Sequence, residues 1–433
     1  MRTSIVKVIE NPSAFKKQLL NWAQQFREIT FLDSNVNYNK DSKYSSFDMI
    51  LAVDSFTSIK TDYTNVFEDL HQYQSRTRDW LFGYMSYDLK NDIEDLKSKN
   101  FDGLQFPDLY FFQPKKLFLL KGNQLEVQYL NIVDDEVDFD FNEILKHQSS
   151  ITNHQLPKIN QRVSKERYIK KVSKMLEHIH RGDIYEANFC MEFFAKDIEI
   201  NPSKIYESLN AISEPPFAVY FKNKDNFLIS ASPERYLKKV DTKIITQPIK
   251  GTAKRSFDSY LDEELKDNLS LDAKERSENI MIVDLVRNDL SHTATKGSVQ
   301  VEELCQVYTF KQVHQMISTV VSEVEISTSP IQIIKTTFPM GSMTGAPKIS
   351  AMQIIEDLEE TKRGLYSGAV GYFMPNGDFD FNVVIRSILY NSSNQYLSFS
   401  VGSAITSLSI PENEYDECLL KAKAMFEVLN EIN

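Results

Sequence analysis

The chain has 433 residues, of which 42% are hydrophobic and 25% are charged, a composition typical of globular proteins. Its net charge of −12 argues against a nucleic-acid surface and against attraction to anionic membranes. The three cysteines, Cys190, Cys305 and Cys418, are far apart, which is typical of a reducing compartment. No stretch approaches the ~20 apolar residues of a membrane span. We therefore expect a cytoplasmic protein in which local positive groups bind any anionic substrate.

A polar segment at residues 146–162 contains a proline and has no hydrophobic periodicity, which predicts a linker. It divides the chain into an N-terminal region, residues 1–150, and a second region, residues 160–433, that holds nearly all of the motifs. Apolar residues at helical spacing then predict a helix over 165–181, which Gly182 ends.

Two glutamate pairs lie on predicted helices. Helical spacing predicts one helix over 261–290 and another over 413–432. The pairs are Glu275 with Glu278 on the first helix and Glu414 with Glu417 on the second. A separation of three residues places both carboxylates on one face, and carboxylates from two helices are typical of a Mg²⁺ site. A solvated helix face is the alternative interpretation of either pair alone.

Residues 364–374 and 378–390 form a predicted hairpin around Pro375, Asn376 and Gly377. A three-residue loop gives the proline and the glycine suitable turn positions and pairs Met374 with Asp378.

That register places Tyr366 opposite Arg386 on one face, whereas a two-residue Asn-Gly turn would place them on opposite faces. Arg386 then lies within a strand over 379–390, where it either reaches the rim or binds a carboxylate through two hydrogen bonds.

Lys250 follows a predicted strand at residues 243–247 and precedes Gly251. A lysine at a strand end can lose its charge on partial burial and act as a nucleophile or a base. A solvated lysine in an ordinary turn is the alternative interpretation.

Two backbone segments are candidate anion sites. Residues 341–348 form a glycine-rich loop that opens a helix, where N–H groups and the helix dipole favour an anion. The loop lacks the Gly-Lys-Ser/Thr ending of a phosphate-binding P-loop. Residues 402–405 follow a strand, and their N–H groups could bind a carboxylate.

Taken together, these segments resemble the chorismate-utilising enzymes. The matching stretches occur in the order of that family, and they are residues 182–185, 232–235, 248–252, 274–278, 284–290, 341–348, 363–368, 385–386 and 414–421. The resemblance covers residues 165–430 and only loosely the first 150. It implies an α+β fold in which large antiparallel sheets pack on each other with helices outside.

The resemblance also implies roles for individual residues. Glu278 and Glu417 would bind Mg²⁺ directly, while Glu275 and Glu414 hold its waters. The substrate would be chorismate, bound by Arg386, Tyr366 and Thr344 and by the N–H groups of Gly402 and Ala404. Lys250 would be the covalent nucleophile and Glu234 the general acid.

Within the family, Pro-Ile-Lys-Gly-Thr at residues 248–252 resembles component I of aminodeoxychorismate synthase, while anthranilate synthases have alanine at the lysine position. The alternatives are anthranilate synthase component I and a non-catalytic chorismate-binding subunit. The chain has no glutamine amidotransferase motif, so ammonia would come from an amidotransferase partner.

The chain departs from the family pattern at three positions. Gln315 stands where the family usually has histidine, with His314 one residue earlier, Glu186 replaces a common glutamine, and Ser256 replaces a glycine that often follows Arg255. Residues 31–34 resemble the N-terminal tryptophan-pocket motif of the family over four residues, which raises bound tryptophan there as a motif hypothesis.

Overall fold

The computed structural model describes residues 1–35, 43–146 and 157–430. Within these ranges the chain forms twenty strands and eleven helices. None of these helices is long and apolar enough to cross a membrane.

The strands are β1 (Arg2–Val8), β2 (Glu28–Asp33), β3 (Met49–Thr61), β4 (Leu81–Met85), β5 (Leu109–Lys121), β6 (Gln124–Leu130), β7 (Asn160–Gln161), β8 (Glu186–Ala195), β9 (Phe217–Asn223), β10 (Asn226–Ser232), β11 (Arg235–Val240), β12 (Lys243–Gln247), β13 (Ile249–Lys254), β14 (Gln300–Thr309), β15 (Val313–Glu323), β16 (Gly345–Ala346), β17 (Ala369–Phe373), β18 (Phe379–Val383), β19 (Ser387–Asn391) and β20 (Tyr396–Ile405).

The helices are α1 (Pro12–Ala23), α2 (Val66–Thr77), α3 (Lys90–Ile93), α4 (Val137–Lys146), α5 (Lys165–Arg181), α6 (Pro202–Ser213), α7 (Ser259–Leu271), α8 (Ala273–Ser291), α9 (Pro330–Thr337), α10 (Lys348–Leu358) and α11 (Pro411–Asn430).

The strands form two antiparallel sheets that share the long strands β3 and β5. The order in the first sheet is β1-β6-β5-β3-β2-β9-β10-β19-β20-β8, with β7 and β16 on β8. The order in the second sheet is β3-β5-β4-β17-β18-β11-β12-β15, with β13 and β14 also on β15. Strands that precede the predicted linker therefore pair with strands that follow it, β2 with β9 and β4 with β17. Most of the linker segment itself lies outside the described residues.

Alternating apolar side chains bury both faces of the first sheet. In β3, Leu51 and Val53 belong to a core beneath helices including α1, α5, α6 and α11, whereas Ile50 and Ala52 belong to the core that joins the sheets. Tyr84 of the second sheet meets Phe221 of the first edge-to-face, with ring centroids 5.3 Å apart. The predicted α+β fold of packed antiparallel sheets with outer helices is thus confirmed.

The helix predicted after the linker is confirmed at both ends. It spans Lys165–Arg181, begins where the Ser164 hydroxyl accepts the Arg167 N–H, and ends at Gly182 with a φ of 90°. A residue in the left-handed conformation after a helix is favourably glycine, because the Cβ of any other residue is sterically unfavourable there.

The last helix begins at Pro411, two residues before its predicted start, and its predicted residues 431–432 lie outside the described ranges.

The single helix predicted over 261–290 is wrong. Asp272 adopts an extended conformation with a ψ of 115°, and its carboxylate accepts the Glu275 N–H as the cap of α8. The chain therefore forms two helices, α7 and α8, with a break between them. Because hydrophobic spacing continues on both sides of the aspartate, periodicity alone does not reveal the break.

The predicted hairpin loop is confirmed. Gly377 has a φ of 85°, its N–H donates to the Met374 carbonyl, and the Met374 N–H donates to Asp378. The pairing continues from Phe373 with Phe379 as far as Ala369 with Val383.

The continuous strand predicted over 379–390, with Tyr366 opposite Arg386, is wrong. Strand β18 ends at Val383, Arg386 has a φ of 49°, and β19 pairs with β10 in the first sheet. The chain crosses between sheets at this point, and Arg386 lies at the crossing.

Candidate active site

Lys250 lies on β13 and contacts the first residue of β8. Its Nζ donates a hydrogen bond to Glu186 Oε1 at 2.8 Å, and the two side chains are 11% and 1% exposed. The pairing of β13 with β15 shifts register around Gly251, which has a φ of 95°. A Cβ on Gly251 would lie 3.2 Å from Glu275 Oε2. Glycine therefore permits both the bulge beside Lys250 and the close approach of α8.

Carboxylates keep Lys250 charged in this state of the protein. Burial alone would lower the pKa of Lys250, but the carboxylates of Glu186, Glu278 and Glu234 outweigh burial and raise the pKa above the ordinary lysine value. In this state the carboxylates oppose the partial loss of charge predicted from the sequence, because Glu186 stands within hydrogen-bonding distance. One oxygen of Glu186, Oε2, is buried without a hydrogen bond among the described residues.

Glu234 is buried between β10 and β11 and has the properties of a general acid. Glu234 is 4% exposed to solvent. Burial raises the pKa of Glu234 to about 7, although a hydrogen bond with Ser342 and the charge of Lys250 oppose the rise. A carboxyl group with such a pKa can carry a proton at neutral pH.

The four glutamates of the predicted metal site surround one ammonium group. Lys274 Nζ lies 3.8 Å from Glu278 Oε1 on its own helix and 3.8 Å from Glu414 Oε1 on α11. Burial lowers the pKa of Lys274, but all four carboxylates, including Glu275 and Glu417, raise it, and the net result is a raised pKa. The structure thus brings the two glutamate pairs together across α8 and α11.

The donor chemistry of this cluster fits a hard cation. Glu278 Oε1 is buried without a hydrogen bond, and burial raises the pKa of Glu278 to about 7 with a further rise from Glu275. Oxygen-only ligands are those that Mg²⁺ prefers. In the conformation described, no three of the described His, Cys, Asp and Glu side chains are close enough together to hold a metal ion. Binding would therefore require the carboxylates to close around the ion.

Arg386 is a partly buried guanidinium for which no ion pair or hydrogen bond is found among the described residues. Burial lowers its pKa, and no carboxylate opposes that effect. It lines a cavity of about 30 Å³ with Ala231, Pro233, Gln315 and Met425. An unpaired guanidinium facing a cavity is suited to bind an anion.

The two neighbours His314 and Gln315 point to opposite sides of β15. His314 is 1% exposed and contacts Thr309 and Asp262 through its ring nitrogens at 3.0 and 3.1 Å. Gln315 instead lines the cavity of Arg386, and its Oε1 is buried without a hydrogen bond. The side chain at the position where the family usually has histidine therefore faces this cavity. Strand alternation is the sequence signal that could have separated the two residues.

Gly402 and Ala404 present N–H groups on the open edge of β20. They pair with Cys190 and Asn188, whose own N–H groups bond Glu359 and Thr344 on the opposite side of β8. These are therefore non-hydrogen-bonded pairs, and the N–H groups of Gly402 and Ala404 point away from β8. The pairing of β20 with β19 ends at Ser398, so among the described strands none covers this edge.

The side chains of the two remaining predicted substrate-binding residues, Thr344 and Tyr366, form hydrogen bonds within the protein. The Thr344 hydroxyl donates to the Gly341 carbonyl at 3.2 Å, in a loop whose next residues pair with β8. Tyr366 is buried, and its hydroxyl accepts a hydrogen bond from Cys190 at 3.7 Å. The loop does open a helix, because α10 begins at Lys348.

A larger cavity of about 80 Å³ lies elsewhere, and Leu32, Asp33 and Ser34 are among its lining residues. This is the place where the sequence predicts a tryptophan. Asp33 is paired with Lys16 at 2.6 Å. The chemistry of Lys250 and the glutamates does not involve this cavity, and bound tryptophan stays a prediction.

Comparison with known proteins identifies the family of the chain. The family model described as chorismate binding enzyme matches residues 25–427. An anthranilate synthase component I-like protein of Synechocystis is 34% identical over 81% of this chain and 72% of its own. Aminodeoxychorismate synthase component 1 of Bacillus subtilis is 31% identical over 86% of this chain and 80% of its own.

Anthranilate synthase component I from Streptococcus pneumoniae has the same fold, with a TM-score of 0.78 over 89% of this chain and 93% of its own at 24% identity. The family model covers nearly the whole chain, and relatives under both enzyme names exceed 30% identity over most of it. The chain therefore belongs to the chorismate-binding enzyme family.

Proposed function

We propose that this chain is component I of aminodeoxychorismate synthase, which converts chorismate and ammonia to 4-amino-4-deoxychorismate, a precursor of 4-aminobenzoate and folate. The observation that carries the proposal is the buried Lys250, whose Nζ lies 2.8 Å from Glu186 Oε1. A lysine with a carboxylate at this distance has both a nucleophilic atom and an acceptor for its proton.

In the first half of the reaction, Glu186 takes a proton from Lys250, and the free amine attacks C2 of chorismate. The ring double bonds shift, and the C4–O bond breaks. Glu234 donates its proton to the departing hydroxyl, which leaves as water. Glu234 suits this role because burial raises its pKa to about 7.

In the second half, ammonia attacks C4, the double bonds shift back, and the C2–N bond breaks with its electron pair returning to Lys250. The new ammonium loses one proton to Glu234, and Lys250 regains its proton from Glu186. The balance is chorismate plus ammonia to 4-amino-4-deoxychorismate plus water, with both carboxyl groups restored.

The rest of the site would hold the two substrate carboxylates. Arg386, the N–H groups of Gly402 and Ala404, and Tyr366 after it turns from Cys190 would bind the enolpyruvyl carboxylate. The unpaired state of Arg386 supports this role, since a buried guanidinium gains most from a charged partner. Thr344 would bond the substrate if its hydroxyl leaves the Gly341 carbonyl.

Glu278 and Glu417 would hold Mg²⁺ directly, with Glu275 and Glu414 holding its waters. When bound, Mg²⁺ supplies positive charge for the ring carboxylate of chorismate. The four carboxylates would position that charge, and the support is that Glu278 of α8 and Glu414 of α11 both lie 3.8 Å from one ammonium group.

Anthranilate synthase component I is the second candidate. Its supporting observation is that the carboxylates keep Lys250 protonated, and a protonated lysine would not form a bond to C2. Relatives of both names also match at similar identity. In this case ammonia itself would attack C2 while the C4 hydroxyl leaves as water, and loss of the enolpyruvyl group as pyruvate would then give anthranilate.

The test is mass spectrometry of the protein after incubation with chorismate and Mg²⁺ without ammonia, followed by acid quenching. We expect an adduct of chorismate minus water on Lys250, which is absent in Lys250→Ala and present in Lys254→Ala, an exposed lysine of the same strand. If Lys250 stays unmodified while the same protein still makes product with ammonia, covalent catalysis is refuted. That result would favour anthranilate synthase component I.

A further inference from the structure

The ammonium of Lys274 lies close to the unpaired oxygen of Glu278, a carboxylate on which the charge of Lys250 also acts. Its distances to Glu278 Oε1 and Glu414 Oε1 are equal at 3.8 Å, so one positive group bridges α8 and α11. Neither distance is a hydrogen bond, and Glu278 Oε1 has no hydrogen bond among the described residues. The bridge is electrostatic and leaves the oxygens available to another cation.

The other members of the cluster differ in how they are neutralised. Glu417, whose side chain is 42% exposed, has a close partner, Lys421, at 2.7 Å, and this charge lowers the pKa of Glu417 against an opposing effect of partial burial. Glu275 is close enough to Glu417 for repulsion to raise its pKa beyond the effect of burial. The cluster as a whole is therefore short of positive charge, and Lys274 supplies part of it.

Lys274 also has a route out of the cluster. Its side chain is 43% exposed, whereas those of Glu278 and Glu414 are 11% and 3% exposed. A long flexible side chain at the protein surface can move its charge into water at little cost. The buried carboxylates have no comparable freedom, because they are fixed on two packed helices.

We propose that the Lys274 ammonium is a tethered occupant of the divalent-cation site, which bridges α8 and α11 when no metal is bound and moves to solvent when Mg²⁺ enters. The inference rests on the metal site of the proposed function. In this proposal Lys274 competes with Mg²⁺ for the carboxylates and weakens the binding of the ion.

Two consequences follow from competition. Removing the charge of Lys274 leaves the carboxylates without a bridge, so the metal-free protein should lose stability. The same removal should strengthen Mg²⁺ binding, because the ion no longer has to displace a cation. A lysine with a purely structural role would give the first effect without the second.

The experiment is titration calorimetry of the EDTA-treated full chain with Mg²⁺, together with thermal unfolding with and without the ion. We expect Lys274→Met to bind Mg²⁺ about tenfold more tightly than wild type, which corresponds to about 1.4 kcal/mol. Its Tm should be lower without metal and should rise more when metal is added.

Lys274→Gln provides a second neutral variant if the first does not fold, and Lys274→Arg, which keeps the charge, should retain the affinity of wild type. Lys423→Met is the matched control, an exposed lysine on α11. Equal or weaker Mg²⁺ binding by the neutral variants, with binding by wild type intact, would overturn the inference alone. No Mg²⁺ binding by wild type or by any variant would overturn both the inference and the metal site.

Discussion

Lys250 and Glu186 form a buried ion pair, and chemistry at this lysine depends on where their shared proton resides. The nearby carboxylates raise the pKa of Lys250, so the amine becomes nucleophilic only when Glu186 accepts its proton.

Glu186→Gln should lower the pKa of Lys250, since it removes the nearest negative charge. We expect the inflection in the rate of Lys250 labelling by an amine-reactive reagent to move to lower pH, as measured by peptide mass spectrometry across a pH series. The exposed Glu177→Gln serves as the control. An inflection that does not move would show that Glu186 does not govern the charge of Lys250.

Glu234 should impose the alkaline limit on product formation. Its pKa of about 7 means that the acid form predominates below that pH and is lost above it. With free ammonia held constant, the rate should therefore fall as pH rises through neutrality. Glu234→Gln should lose about 10²- to 10⁴-fold in rate and should lack this limb, because its amide cannot donate a proton. A wild-type rate that stays level above neutral pH would count against this role.

At the scale of single residues, the sequence was sufficient to identify Lys250, Glu234 and the glutamates as candidates. It could not predict the charge of Lys250, because that depends on Glu186, which precedes it by many residues in the chain. Similarly, the orientation of Gln315 became clear only when the register of β15 was known. Electrostatic environment is a property of three-dimensional neighbours rather than of local sequence.

At the scale of elements, α8 and α11 bring the two glutamate pairs to one place. The break at Asp272 starts a new helix, and its carboxylate caps the turn that carries Glu275. Helical spacing predicted that each glutamate pair lies on one face of its helix, but it did not predict this break. The crossing at Arg386 was also missed, because a change of sheet depends on which distant strand supplies hydrogen bonds.

Changing either of the two proposed direct metal ligands should test how α8 and α11 cooperate. Glu278→Gln or Glu417→Gln should raise the Mg²⁺ concentration needed for half-maximal activity by at least about tenfold, because each removes a charged oxygen. The measurement is the rate of chorismate consumption across a Mg²⁺ series. Glu412→Gln, at an exposed position of α11, is the control. Unchanged metal dependence in both variants would leave the glutamate pairs as ordinary helix faces.

Across the whole molecule, the two sheets share β3 and β5, and in each sheet a block of N-terminal strands meets a block of C-terminal strands, at β2 with β9 and at β4 with β17. The resemblance to a known family predicted packed antiparallel sheets, but local patterns could not have predicted this order of strands. Pairings such as β2 with β9 join residues nearly two hundred positions apart, and short-range periodicity carries no information about them.

The source of ammonia can be tested with the intact chain. We expect glutamine alone to give no product, ammonium to give product, and an added glutamine amidotransferase subunit to restore the use of glutamine. The reason is that the chain has no amidotransferase nucleophile motif. Appreciable glutamine-dependent product from the purified chain alone would contradict a two-subunit enzyme.

The identity of the product tests the proposed function most directly. Chorismate, Mg²⁺ and ammonium are incubated with the purified chain, and the product is identified by chromatography and mass spectrometry beside authentic standards. We expect 4-amino-4-deoxychorismate from the wild type and its loss in Lys250→Ala, with chorismate binding retained. Anthranilate as the main product, or full synthesis of 4-amino-4-deoxychorismate by Lys250→Ala, would contradict the proposed function.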